Sequence, residues 1–237
     1  MIVKKIIKFS LLGVLLMILF GCNERNSRAY LEDRIGNQIS RVYQTKNLED
    51  LFEQFPNGFT IYQGYLLADK IIKIELDGNE KGKPIEGTIK QINRKSGAEE
   101  KKVSVSYDKG KFSYDNEEEA RKLWPLEKFL FQEMTLNKEI LSKFKLKSTY
   151  YNRNNGGFDL EYVVKNEQIN EFLKLENQPQ VTLGFHGSNA NRGYYYTLSV
   201  DVDSDFTFAE RISEWCRGRV NEYSSRNWKF DTFFRWV

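Results

Sequence analysis

The sequence predicts an α+β fold, an antiparallel sheet or sheets with flanking helices, on three observations. Residues 59–115 alternate apolar and polar side chains in short runs divided by turn signals. Helical spacing occurs in separate blocks before and after those runs. The blocks do not alternate as regular βαβ units, which argues against a parallel sheet.

From Tyr30 onward, Leu31, Ile35, Ile39 and Val42 share one helical face. Asn47 then stands as the cap of a short helix through Leu48, Leu51 and Phe52. Pro56-Asn57-Gly58 ends that helix and turns the chain. Strands are expected at 59–62, 71–76, 87–93, 102–107 and 111–114, with Asp77-Gly78 as a turn signal and Asp108-Lys109-Gly110 as a tight connection.

Residues 117–145 are expected to be helical, with Leu123, Leu126, Phe129, Leu130, Ile140, Leu141 and Phe144 as the apolar positions. Pro125 sits in a first turn or marks a break, because it lacks the amide a helix interior requires. Strands return at 149–152 and 158–164 around Asn154-Asn155-Gly156-Gly157. A short helix at 167–174 and strands at 180–185 and 194–202 follow. The remainder, 206–237, is rich in aromatics and shows no clear period.

The N-terminus has a different plan. Lys4, Lys5 and Lys8 precede an apolar run of 12 residues from Phe9 to Phe20. Charge, a short apolar stretch and then a small residue is the layout of a secretory signal peptide. The run is short for a spanning helix, which needs about 20 residues. Leu19-Phe20-Gly21-Cys22 looks like a bacterial lipobox. That resemblance implies diacylglycerol on the Cys22 thiol, cleavage before it, and attachment to the extracytoplasmic face of the cell membrane. The alternative is an uncleaved N-terminal anchor helix. The expected organisation is a signal peptide at 1–21, a lipidated tether at 22–28 and a single α+β domain at 29–237.

Charge follows from that division. The 237-residue chain holds 36 basic and 33 acidic residues, and three of the lysines lie in the signal. The mature chain is therefore formally neutral, which argues against nucleic acid as a partner. Two cysteines are present, Cys22 and Cys216. With Cys22 lipidated, no intrachain disulfide forms and a cysteine-built metal site is excluded.

Candidate chemistry is sparse. Asp201-Val202-Asp203-Ser204-Asp205 resembles the start of a calcium loop, but Phe206 and Ile212 stand where glycine and glutamate belong. The simpler reading is a strand with Val200 and Val202 facing in and Asp201 and Asp203 facing out. His186 is the single histidine, in Gly184-Phe185-His186-Gly187-Ser188. That segment is not Gly-x-Ser-x-Gly, so no nucleophile elbow is expected, and Gly187-Ser188-Asn189 reads as a turn. Glu117-Glu118-Glu119 reads as the first turn of a helix, where negative charge complements the dipole. No catalytic residue, metal site or cofactor is expected. Trp215, Trp228, Phe233, Phe234 and Trp236 are either core or a partner-binding surface.

As a whole the chain resembles the staphylococcal tandem-type lipoproteins, also called the conserved staphylococcal antigen family. The lipobox comes first. Lys46-Asn47-Leu48-Glu49-Asp50-Leu51-Phe52 is similar to that family's Lys-Asn-Leu-Glu-Asp-Leu-Tyr segment. Gly87 through Asn93-Arg94 and Ala98 is similar to its strand-turn-strand, and Pro179 to Val202 to its late strand pair. The Pro56-Asn57-Gly58 stretch and the tail ending Phe233-Phe234-Arg235-Trp236-Val237 depart from it. The resemblance implies no enzyme activity and no cofactor. It implies a membrane-anchored surface protein with a protein partner, either a secreted type VII antibacterial toxin held in check by an immunity protein, or a host protein.

Overall fold

The computed structural model describes residues 24–43, 45–187, 195–202 and 206–215. Within them, ten strands form one sheet in the order β5-β4-β3-β2-β1-β10-β9-β8-β7-β6, every neighbouring pair antiparallel. The expected α+β class with an antiparallel sheet and flanking helices is observed.

A 3-10 turn at Glu24–Asn26 leads into helix α1, Arg28–Ile39. Ser27 caps α1 by accepting from the Tyr30 amide, and Leu31, Ile35 and Ile39 are buried, as the spacing predicts. Arg28 is part of the folded body: its guanidinium donates to the carbonyls of Leu141, Ser142 and Phe144.

The Lys46–Phe52 segment is a 3-10 turn, Leu48–Asp50, running into a one-turn helix α2, Leu51–Gln54. Asn47 occupies the cap position but makes no cap hydrogen bond; its amide donates to Asp50 instead. The cap expectation is corrected on that point. The segment is clamped from two sides. The Lys46 backbone carbonyl and side chain both bond Gln132, and Glu49 accepts from the Gly110 amide.

The first meander is β1 Phe59–Leu66, β2 Lys70–Gly78, β3 Ile85–Asn93, β4 Glu99–Asp108 and β5 Lys111–Tyr114. Gly58 supports the turn into β1 at φ +107°, a conformation glycine reaches without a Cβ penalty. Asp77-Gly78 is not a turn. β2 continues through it, because Gly78 pairs with Phe59 and lends its missing Cβ space to that ring. Lys109 and Gly110, both at positive φ, make the tight β4–β5 connection as predicted.

The chain then crosses from one edge of the sheet to the other. Ten strands at about 4.8 Å spacing make a sheet roughly 43 Å wide. The predicted helical block is three short helices on that path: α3 Glu117–Leu123, α4 Leu130–Glu133 and α5 Lys138–Lys143. Pro125 lies in the break after α3. The Glu117-Glu118-Glu119 run forms the first turn of α3, capped by Asn116. The second meander runs inward: β6 Lys145–Tyr151, β7 Phe158–Val164, helix α6 Glu167–Phe172, β8 Val181–Gly187, β9 Tyr195–Asp201 and β10 Thr207–Glu214. β10 closes on β1, so the two meanders join at the centre.

One face of the sheet is apolar. Ile61, Ile74, Ile89, Leu160, Leu183, Leu198 and Phe208 meet α1 residues and Trp124, Phe129 and Phe131 in a single core. No helix among the described residues is long and apolar enough to cross a membrane.

Candidate functional site

Of the residues singled out from the sequence, Leu19, Phe20, Gly21 and Cys22 lie outside the described residues, as do Trp228, Phe233, Phe234 and Trp236. Trp215 is described. It follows β10 and bonds back through its amide to the Gly58 carbonyl. Its indole N–H donates to Thr60 Oγ1 at 2.9 Å, and Thr60 in turn donates to Asp77 at 2.6 Å. The ring remains 40% exposed, so it latches the end of β10 to the start of β1 while keeping an apolar surface in solvent.

The structure brings together three side chains that the sequence does not pair. His186 Nδ1 lies 2.7 Å from Asp159 Oδ1, and Nε2 lies 3.0 Å from Ser199 Oγ. The three stand on β7, β8 and β9, on the face opposite the core. Asp159 is directly across from His186, while Ser199 is across from Gly184. Strand alternation explains the orientation. Leu160, Phe185 and Leu198 point into the core, so their neighbours Asp159, His186 and Ser199 point out.

Gly184 allows the imidazole to reach Ser199. A Cβ there would lie 2.5 Å from Ser199 Oγ and 2.8 Å from His186 Nε2. The imidazole therefore lies over a bare stretch of backbone. Tyr62 uses the same device on β1, where its hydroxyl occupies the space a Cβ on Gly64 would need.

With Asp159 accepting from Nδ1–H, the neutral ring presents Nε2 as an acceptor for the Ser199 hydroxyl. This is the order of groups in a nucleophilic triad. The surroundings of Ser199 are those of a sheet interior. It is 3% exposed and sits in a strand paired on both sides, opposite Gly184 and Ala209. Backbone amides in such a strand belong to the ladders, whereas an acyl-transfer site needs donors aimed at a developing oxyanion. The cluster continues as a polar strip. Ser148 donates to Glu161, Lys147 reaches Glu161 and Thr182, and burial holds the Asp201 carboxyl above its ordinary range.

A second polar cluster sits inside the core. Glu210 is fully buried on β10. Its Oε2 accepts from the Leu130 amide and Gln63 Nε2, and its Oε1 from the Phe131 amide and the Tyr43 hydroxyl. Gln63 Oε1 accepts from Trp124 Nε1 and the Tyr65 hydroxyl. Burial pushes the Glu210 carboxyl up to about 7, against four donors that favour the charged form. The cluster fastens α4 and the Trp124 segment to the central strand pair, so its role is architectural.

No family model and no curated protein matches the chain. Among solved structures, the crystal structure of LprF from Mycobacterium bovis is similar over 78% of this chain and 95% of that one, at 7% identity and a TM-score of 0.35.

Proposed function

We propose that the protein is a lipid-anchored, non-enzymatic protein of the cell envelope that binds a protein partner. The observation that carries this reading is Leu19-Phe20-Gly21-Cys22 at the end of a charged and then apolar leader. Two acyl chains on Cys22 would hold the domain stably without further insertion, since stable anchoring takes two such signals. The resemblance of the Lys46–Phe52 segment to the staphylococcal tandem-type lipoproteins favours a secreted antibacterial toxin as the partner, with the protein acting as its immunity factor. A host-cell protein is the second reading, and it draws on the same resemblance.

Growth with alkyne-palmitate tests the anchor: label should appear on the wild type and vanish in Cys22→Ala, which should leave the membrane fraction. A wild type without label would end this reading. The lipidated protein is then used to capture secreted proteins of its own strain, and cells expressing it are challenged with the captured protein. Protection supports immunity. Host-cell association lost in a deletion strain supports the second reading. Neither protection nor host association would remove partner binding as the function.

A further inference from the structure

We infer that the β6 edge of the sheet, with the hairpin loop that follows it, rests on anionic lipid headgroups; this goes beyond the anchored reading and depends on it. The chain enters the fold at this edge. The 3-10 turn Glu24–Asn26 packs on β6, where the Thr149 hydroxyl donates to the Asn26 carbonyl at 2.8 Å. Arg28 is tied to the carbonyls of Leu141 and Ser142 in the last turn of α5 and of Phe144 just before β6. A single residue, Asn23, separates Cys22 from Glu24. At no more than about 3.6 Å per residue, a lipid on Cys22 begins within about 7 Å of the folded body. That is inside the roughly 8 Å over which charges act on one another at physiological salt.

What stands at this edge suits an anionic surface. Residues 140–158 contain Lys143, Lys145, Lys147 and Arg153 and no acidic residue, in a mature chain that is neutral overall. Lys145 is exposed, and the side chains of Lys143 and Lys147 are 65% and 46% exposed. Glu139 and Glu161, on α5 and β7, pair with Lys143 and Lys147, and Lys147 also reaches Thr182, while both lysine side chains stay exposed. Tyr150, 53% exposed on the same strand, adds a ring of the kind that sits at headgroup level. Edge lysines also discourage strand-to-strand aggregation. Their placement at the point where the chain arrives from Cys22 distinguishes the two roles. Near an anionic surface each such lysine contributes about a fivefold gain in binding. Lys109, at the tip of the β4–β5 hairpin, belongs to the opposite edge of the sheet, where β5 lies nine strand positions from β6.

The test is lysine acetylation read by mass spectrometry on the full lipidated protein, reconstituted into vesicles of phosphatidylglycerol or of phosphatidylcholine. The mass of the N-terminal peptide reports the lipid first, and its absence there overturns the anchored reading underneath. With lipid present, Lys145 and Lys147 should react at least threefold more slowly on phosphatidylglycerol than on phosphatidylcholine. Half-molar salt should relieve that protection, and Lys109, 91% exposed, should not change. Equal reactivity on both vesicles, or protection that salt leaves intact, overturns the headgroup contact while the anchor stands.

Discussion

The Glu210 cluster and the His186 cluster occupy neighbouring strands but opposite faces of one sheet, and they resemble each other in parts. Each places an ionisable group among polar partners, one of them a hydroxyl, at hydrogen-bond distance. They differ in what surrounds them. Glu210 has two backbone amides, a phenol and an amide nitrogen converging on two oxygens in a core without solvent. His186 and Asp159 lie partly in solvent, at 29% and 47% side-chain exposure, where water can replace a lost partner. Triad-like distances alone do not separate a working nucleophile from a polar clasp between strands. Burial and the state of the surrounding backbone do.

The largest effect should come from breaking the buried cluster. Glu210→Ala removes an acceptor shared by four buried donors and opens a cavity between α4 and β10. The expected loss is about 4 kcal/mol or more, read as a lowered urea midpoint at constant slope. Glu210→Gln should cost about 2 kcal/mol. Each carboxylate oxygen receives one backbone amide, so whichever oxygen becomes NH2 faces a donor.

Next in size is a pH dependence. In the unfolded chain the Glu210 carboxyl ionises near its ordinary 4.5; in the folded protein it holds its proton to about 7. Between those values the folded state binds more protons than the unfolded state, so stability falls as pH rises. The fall should begin near pH 4.5, level off above pH 7 and amount to roughly 3 kcal/mol at most. Protonation is tolerated because the Tyr43 hydroxyl can accept as well as donate, while the protonated oxygen keeps a lone pair for the Phe131 amide. Urea melts at pH 5 and pH 7.5 should show the difference in wild type and a smaller one in Glu210→Gln. An equal difference in both would assign it elsewhere.

Much of this architecture was legible in the chain. Alternation around Ile74, Ile89, Val103 and Leu160 marked most strands, and Glu117-Glu118-Glu119, Pro125 and Lys109-Gly110 marked a helix start, a break and a turn. β10 was not legible because its core face reads Phe208, Glu210, Ile212, and a glutamate at an inward position breaks the apolar period. Asp77-Gly78 misled because an empty glycine site and a turn use the same residue, and Phe59, which fills the site, lies 19 positions away. That Asp159, His186 and Ser199 all face outward follows from alternation within each strand. That they touch follows from register across three strands, which local sequence does not carry.

Breaking the outer cluster should cost least, and in a graded way. Gly184→Ala drives a methyl into Ser199 and the imidazole together, so a loss of about 1–2 kcal/mol is expected. His186→Ala removes the bonds to Asp159 and Ser199 but leaves Asp159 half in water, at a cost of about 1 kcal/mol. Ser199→Ala removes a single bond between a buried hydroxyl and a ring that keeps its contact with Asp159, for about 0.5–1 kcal/mol. If the cluster is a clasp, these costs follow the number of bonds lost, and a fluorophosphonate probe labels neither wild type nor variant. A nucleophile would reverse the ranking in the second measurement: Ser199→Ala, the mildest change to stability, would abolish a label that the wild type carried. Labelling of Ser199 in the folded protein would move the His186 cluster from architecture to chemistry and remove the non-enzymatic reading.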